Sequence, residues 1–298
     1  MGQRATSAKT LLGENATSCF FEQAFKNRHR RQFPCDVQFR WTNYPLHVPF
    51  AVKPAMNESI LKTIPTNEQP LDAIVVTPHP DDAELGMGGT IAKLIELGWR
   101  IGIVDLTDGE PTPHGSLEIR AKETAAASRA LGVTWRLNLG MRNRFLEATL
   151  ENRHLLAGVF RLAKPRWIFA PFWEDAHPDH VAATQLVEAA RFWSKLSKSD
   201  LAGTPHHPSR VYYYYCIHLR LAIQPSFVVD ISQHWPQKQA SMASYVSQFI
   251  TGRESQVPTM LDQLRDEASY WGKQIGTAYG EPFASREPIG MKSLADLI

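Results

Sequence analysis

The stretch AIVVTPHPDDAE, residues 73–84, decides the fold, because an apolar run ends there abruptly in a histidine and two adjacent aspartates. Glycines within residues 86–89 follow, and a helical pattern begins after them. In an α/β protein, functional groups gather where parallel strands end at their carboxyl side. Two interpretations remain open on this stretch alone. Either His79 and one aspartate hold a metal ion while the other aspartate transfers protons, or an aspartate merely caps the helix.

A second stretch of the same kind, WIFAPFWEDAHPDH, occupies residues 167–180. Here too an apolar run leads into acidic residues and histidines. The carboxyl ends of two parallel strands can meet at one edge of a sheet, so the two clusters can converge in space. Together they supply a mixed set of His and Asp donors, which favours a metal site over two unrelated helix caps.

From Leu71 onward, short apolar runs alternate with longer amphipathic stretches, which is typical of βαβ units. The predicted strands are residues 73–77, 101–105, 135–139, 167–170, 211–216 and 227–231. The predicted helices are residues 89–97, 117–131, 150–162, 181–192, 236–249 and 260–276. We therefore expect an α/β fold, Rossmann-like, in which a mostly parallel sheet is flanked by helices in a single catalytic domain over residues 67–298.

Composition excludes several classes of protein. The net charge of +2 over 298 residues is too small to favour binding to nucleic acid or to an acidic membrane surface. The apolar runs are too short for a transmembrane helix. Three scattered cysteines suit a reducing cytoplasm better than a disulfide-stapled secreted domain. We expect a cytoplasmic protein with a small-molecule substrate, and a homo-oligomer is left open.

Residues 1–66 differ from the rest of the chain. They show few periodic apolar positions and carry a basic run at residues 26–31. We expect a poorly ordered N-terminal extension. An equally weighted alternative is that Met56 is the true initiator, so that residues 1–55 are not part of the native protein. A nucleic-acid patch is the weaker interpretation of the basic run, since the remaining chain has no matching surplus of charge.

A catalytic zinc ion typically has three protein ligands and an open position for water. His79, Asp82 and either His177 or His180 would complete such a set. His180 is the better ligand candidate, because His177 is then left to face the substrate. Residue type makes these assignments plausible, but the spacing alone does not determine them.

The remaining polar residues of the two clusters suit proton transfer and charge stabilisation. Asp81 stands beside a ligand candidate and can accept a proton from a water on the metal. A protonated His177 would stabilise the oxyanion of a tetrahedral intermediate, and Asp179 would hold the charge and orientation of that imidazole.

The motifs HPDDAE at residues 79–84 and HPDH at residues 177–180 resemble those of the LmbE-like (PIG-L) family of zinc-dependent N-deacetylases. The resemblance runs from about residue 71 to 283. It implies one zinc ion per chain, with Fe²⁺ as another candidate metal. The zinc ligands it implies are His79, Asp82 and His180, and it assigns the general base to Asp81.

Further segments are similar to a narrower branch, the bacillithiol-biosynthesis deacetylases that act on N-acetylglucosaminyl-malate. These segments are GMGGTIA at 86–92, RLNLG at 136–140, FVVDIS at 227–232, YVSQF at 245–249 and YGEPF at 279–283. The resemblance implies hydrolytic N-deacetylation of an N-acetylglucosamine conjugate.

Candidate substrate contacts follow from the same comparison and from loop positions. The family uses an arginine at the place of Arg120 for substrate contact, although a surface ion pair with Glu123 one turn away is the alternative. Arg142 and Arg144 follow a predicted strand end and could face the carboxylates of a malyl group, or equally the solvent. Gln248 is a weaker candidate at the substrate pocket.

Other functions are alternatives to this one. Within the family, the enzyme could be an amidase on a thiol conjugate or could act on another N-acylated amino sugar. A non-catalytic, sugar-binding descendant would have no need for a base, so the intact Asp81 counts against it. Nucleotide binding is disfavoured, because the glycines at 86, 88 and 89 do not match the G-x-G-x-x-G spacing of a dinucleotide-binding turn.

Overall fold

The computed structural model describes residues 58–64, 69–215, 218 and 224–291. They belong to one compact unit, Lys53–Ile298. Most of the predicted N-terminal extension, residues 1–57, lies outside the described residues, as does the predicted strand end at Cys216. Of the extension, helix α1 (Glu58–Leu61) is described, and its Leu61 is buried in the core together with Ile64.

A seven-stranded sheet with the order β3-β2-β1-β4-β5-β7-β6 forms the centre of this unit. Its strands are β1 (Ala73–Thr77), β2 (Ile101–Thr107), β3 (Trp135–Met141), β4 (Trp167–Pro171), β5 (Arg210–Tyr214), β6 (Phe227–Asp230) and β7 (Gly280–Ala284). Strands β1 to β5 pair in parallel, whereas β7 runs antiparallel to both β5 and β6. The predicted mostly parallel sheet is confirmed.

Helices cover both faces of the sheet. After α1 they are α2 (Asp82–Glu96), α3 (Leu117–Leu131), α4 (Leu150–Ala163), α5 (Pro178–Ser194), α6 (Trp235–Ala243), α7 (Val246–Phe249) and α8 (Met260–Gln274). Alternate residues of β1 point to opposite faces. Ile74 and Val76 pack in the core that contains the buried residues of α4 and α5, while Val75 packs with the buried residues of α2. The flanked single domain is as predicted.

The strand order places the two motifs next to each other. β1 lies between β2 and β4, and Val75 of β1 is paired with Phe169 of β4. The chain turns to opposite sides of the sheet after β1 and after β4, so a crevice opens at the carboxyl ends of these two strands. The residues after β1 and after β4 both enter this crevice.

Three differences from the predicted elements go beyond shifts of a few residues at element ends. Helix α2 begins at Asp82 rather than after the glycines. The predicted helix 236–249 is two helices, because Tyr245 takes the non-helical angles φ −87° and ψ 64°. Strand β7 was not predicted, since its sequence GEPFA contains Gly and Pro, which are depleted in strands. Among the described residues, none of the helices combines the length and apolar character needed to span a membrane.

Candidate functional site

A cavity of about 240 Å³ opens at the carboxyl ends of β1 and β4. We call His79, Asp81, Asp82 and His177 the floor of the pocket, and Thr112, Asn143, Arg144, Gln248 and Arg253 its rim. The floor comes from the two sequence motifs, and the rim comes from loops and from α7.

The three predicted metal ligands, His79, Asp82 and His180, lie close together at the floor of the pocket. Asp82 Oδ2 lies 3.0 Å from His79 Nδ1 and 3.3 Å from His180 Nε2. All three side chains are buried, and their donor atoms lie within 4.8 Å of one another. Two imidazole nitrogens and one carboxylate oxygen form a donor set that suits zinc and other first-row transition metals.

Each of the two histidines has a carboxylate at its other ring nitrogen. His79 Nε2 lies 3.3 Å from Asp179 Oδ2, and His180 Nδ1 lies 3.0 Å from Asp175 Oδ2. Metal-binding histidines commonly have such a partner, because it fixes the tautomer and the orientation of the ring. Both histidines are therefore held with the opposite nitrogen directed toward Asp82, which supports a metal at that point.

The protonation of each of these residues depends on its neighbours. Burial works against a charged His79, but the hydrogen bonds that its ring donates to Asp179 and Asp82 outweigh this effect and raise the pKa of His79 to about 9. Burial also works against a charged Asp82, yet His180 and His79 hold the pKa of Asp82 well below its usual range. The floor thus concentrates a carboxylate charge between two imidazoles.

Asp81 occupies a strained position between the metal ligands and the pocket. Its φ of 126° is unusual for a residue other than glycine, and such strain is found at functional sites. Its Oδ2 accepts a hydrogen bond from Arg120 Nη1 at 3.2 Å. Burial raises the pKa of Asp81 to about 7, although Arg120 acts to lower it. A buried carboxylate that faces the pocket is well placed to accept a proton.

His177 caps the first turn of α5, and its ring lines the pocket. Its Nδ1 accepts the backbone N–H of Asp179 at 3.2 Å, so a neutral ring carries its proton on Nε2. Burial and the neighbouring His79 and His180 lower the pKa of His177. This arrangement favours a neutral imidazole that donates from Nε2, in contrast to the protonated ring expected from the sequence.

The contacts of Asp179 also differ from the expected ones. Its carboxylate accepts the backbone N–H of Arg144 at 2.7 Å and that of Leu146 at 3.3 Å, in addition to its contact with His79. Its hydrogen bond with His177 is made by the backbone, not by the carboxylate. Asp179 therefore orients a metal-ligand candidate and anchors the loop that carries Arg144.

Arg120 is buried at the pocket rather than exposed in a surface ion pair. It contacts Asp81, and its Nε lies 3.9 Å from Glu110 Oε1. Glu123, the alternative partner one turn away, instead accepts hydrogen bonds from the backbone N–H and the hydroxyl of Ser247, both at 2.7 Å. Glu123 thereby ties α7 to α3, while Arg120 orients the carboxylate of Asp81 and still lines the pocket.

Of the other three predicted substrate contacts, two line the pocket and one does not. Arg144 and Gln248 line the rim, and Gln248 Nε2 donates to Thr112 Oγ1 at 3.2 Å. Arg142 lies outside the pocket lining. Its guanidinium carbon sits 3.9 Å from the centre of the Phe145 ring, and both side chains are exposed. Its role as a substrate contact stays a prediction, and its exposed position beside Phe145 favours the alternative that it faces the solvent.

The sequence-based prediction omitted two basic residues of the pocket lining. His218 follows β5, and its Nδ1 lies 3.8 Å from Asp175 Oδ1. Arg253 is exposed at the rim after α7. Neither residue lies in a motif. The strand-end rule that found His79 would have pointed toward the residues after β5, but no sequence signal marks Arg253.

The sequence of this chain is similar to those of known proteins. Residues 74–191 match the PIG-L family, described as GlcNAc-PI de-N-acetylase. Over 222 residues the chain is 32% identical to the diacetylchitobiose deacetylase of Thermococcus kodakarensis, which covers 70% of this chain and 80% of that protein. The chain belongs to the PIG-L family. It is therefore a hydrolase of the deacetylase type, as the two motifs predicted.

Two further relatives of this PIG-L protein extend the comparison. A probable N-acetyl-α-D-glucosaminyl L-malate deacetylase 2 of Bacillus anthracis is 26% identical, over 60% of this chain and 81% of that protein. The crystal structure of the conserved protein TT1542 from Thermus thermophilus is 40% identical, with a TM-score of 0.68, over 74% of this chain and 97% of that chain. The α/β fold of this chain is thus shared with a solved relative.

Proposed function

We propose that this PIG-L deacetylase is a zinc enzyme that hydrolyses the N-acetyl group of an N-acetylglucosamine conjugate, releasing acetate and a free amine. The observation that carries the proposal is the convergence of His79, Asp82 and His180 beneath a pocket whose floor also holds Asp81. A metal site beside a buried carboxylate suits amide hydrolysis, and a sugar-binding protein without turnover would need neither.

The donor set supports zinc as the metal. Two histidine nitrogens and one aspartate oxygen are common zinc ligands, and the carboxylates of Asp175 and Asp179 orient the two rings. When bound, the metal supplies Lewis-acid activation of water and of the amide carbonyl. Fe²⁺ accepts the same donors and is the alternative metal.

Protein side chains perform the proton transfers and stabilise charge. The Asp81 carboxylate, held by Arg120, accepts the proton of the attacking water and later delivers it to the departing amine. His177 donates from Nε2 to the oxygen that becomes negative as the amide carbonyl is attacked. Its Nδ1 is held by the backbone of Asp179, so the ring needs no reorientation during the reaction.

The rim favours an anionic aglycone, and we propose N-acetylglucosaminyl-malate as the substrate. Arg144 and Arg253 are exposed cations at the pocket, where they can meet the two carboxylates of a malyl group. Arg120 is less available to a substrate carboxylate, since its guanidinium already contacts the carboxylate of Asp81. The similarity to a B. anthracis protein named as a malate-conjugate deacetylase supports the same choice.

A second N-acetylglucosamine is the other candidate aglycone. It is favoured by the 32% identity to a diacetylchitobiose deacetylase. A disaccharide is uncharged, so it would not depend on Arg144 or Arg253, and this difference separates the two candidates by experiment.

The test is acetate release by the zinc-loaded protein from four substrates: N-acetylglucosaminyl-malate, its methyl glycoside counterpart, N,N'-diacetylchitobiose and an N-acylated thiol conjugate. We expect the malyl conjugate to have the highest kcat/KM. A preference for the disaccharide or the methyl glycoside would reject the malyl aglycone and leave the deacetylase intact. No acetate from any sugar, with zinc bound, would overturn the proposed function.

A further inference from the structure

Helix α2, which carries the first motif, is not continuous. Met87 has the non-helical angles φ −150° and ψ 24°, so a first turn of residues 82–86 is separated from the longer helix that follows. In an unbroken α-helix the N–H of Gly89 would donate to the carbonyl of Leu85. The break therefore needs other partners for these two backbone groups, because they are buried.

A buried ion pair supplies those partners. Lys238 of α6 donates from Nζ to the carbonyl of Leu85 at 2.6 Å and to Glu281 Oε1 at 2.5 Å. Glu281 of β7 accepts the N–H of Gly89 at 3.0 Å and that of Thr90 at 2.7 Å. The cation thus meets the carbonyl end of the first turn, and the carboxylate meets the amino end of the longer helix, as the helix dipole favours at each end.

The pair is almost completely shielded from water. Lys238 is 4% exposed and Glu281 is 2% exposed. A buried ion pair is weak grounds for stability, because the loss of hydration offsets much of the attraction between the charges. A Cβ at Gly88 would lie 3.3 Å from Lys238 Cγ, so the lysine stem lies directly against the break. These observations point to a role at the break itself.

We propose that Lys238 and Glu281 are positioning residues of the metal site. They hold the first turn of α2 at its own angle, so that Asp82 meets His79 and His180. The turn is fixed on its other side by Glu84, which accepts from Arg136 Nη1 at 2.6 Å. The inference rests on the proposed assignment of Asp82 as a metal ligand, and zinc binding tests it without any substrate.

The experiment measures zinc affinity by competition with a chromophoric chelator, using the full chain. The variants are Lys238→Met and Glu281→Gln, each of which removes one charge. Arg161→Met is the matched control, because Arg161 is also buried and donates to the carbonyls of Ser194 and Leu201, and none of these residues lines the pocket. It tests whether lost stability alone changes zinc affinity. Asp82→Asn tests the ligand assignment on which the proposal rests.

We expect Lys238→Met and Glu281→Gln to weaken zinc affinity by roughly 10- to 100-fold, as changes in the residues around metal ligands do. In zinc-saturated protein, kcat should fall while KM stays near the wild-type value, since neither residue faces the substrate. The Arg161→Met substitution should lower the Tm of the protein but leave its zinc affinity at the wild-type level.

Wild-type zinc affinity in both pair variants, or an equal loss in Arg161→Met, would overturn the proposal. If a pair variant does not fold, Glu281→Asp replaces it, since it keeps the charge and shortens the reach. Wild-type affinity in Glu281→Asp would then overturn the proposal, and a loss supports it. Unchanged affinity in Asp82→Asn would instead refute the proposed ligand set, which is a separate failure.

Discussion

The floor and the rim of the pocket are built in different ways. His79, Asp81 and Asp82 of the floor are buried and follow a central strand directly, whereas Arg144 and Arg253 of the rim are exposed on loops. In the proposed function, the floor holds the groups that act on any N-acetyl substrate, and the rim faces whatever is attached to the sugar. A change at the floor should therefore affect all substrates alike, and a change at the rim should affect substrates selectively.

The largest effect is expected at Asp81. Asp81→Ala should lower kcat by about 100- to 10,000-fold on every substrate, which is the usual contribution of a general acid–base group. Metal content should stay at the wild-type level, since the three ligand candidates are untouched. The measurements are acetate release and metal analysis of the same preparation. Near-normal turnover with metal bound would remove Asp81 from the mechanism, and loss of the metal would make it a ligand or a support.

A smaller effect is expected at the carboxylates behind the histidines. Asp175→Asn removes the charge that faces His180 Nδ1 at 3.0 Å. Zinc affinity should fall by roughly 10- to 100-fold, because the ring loses the partner that orients it. Competition titration against a chelator measures this. Asp200→Asn is the control, since Asp200 is an exposed aspartate paired with a histidine outside the pocket. An equal loss in both variants would contradict the account.

At the rim, the expected effect is selective. Arg253→Ala and Arg144→Ala should each lower kcat/KM for the malyl conjugate by about tenfold, near the lower end for a hydrogen bond to a charged group. Turnover of the uncharged methyl glycoside should change little. Steady-state kinetics on both substrates measures the difference. An equal loss on the two substrates would assign the arginine to the sugar or to the fold.

The smallest effect is expected at Arg142. Its guanidinium lies over Phe145, outside the pocket lining, so Arg142→Ala should leave kcat/KM for both substrates unchanged. Stability should also change by no more than about 0.5 kcal/mol, as is usual for an exposed residue. The variant serves as the matched control for Arg144→Ala. A selective loss on the malyl conjugate would extend the rim to Arg142.

The floor could be predicted from sequence because its residues directly follow apolar runs that mark buried strands. The apolar run of β1 predicts a buried strand, and the polar residues that follow it must lie at the end of that strand. The contact between Arg120 and Asp81 could not be predicted in the same way, since it joins residues 39 positions apart. The break in α2 was hidden because residues 86–89 are rich in glycine, which has a low helix propensity.

Of the rim, only Arg144 and Gln248 could be predicted, because loop positions depend on tertiary packing. Arg253 follows α7, which the non-helical Tyr245 separates from α6. The hydroxyl of Tyr245 donates to the buried Glu84 at 3.1 Å, a contact between residues far apart in the sequence. Strand β7 was missed because Pro282 argues against a strand that lies between two others, yet Pro282 stands there opposite Val228 of β6.

The most direct test of the central claim is anomalous diffraction at the zinc edge from crystals of the zinc-loaded protein. The account predicts one strong peak per chain, bound by His79, Asp82 and His180, with donor atoms about 2.0–2.2 Å from the ion. The structure also offers two rival groups, one of Asp175, His180 and His218 and one of His79, His177 and Asp179. A peak held by either rival group, or no peak near Asp82, would contradict the account.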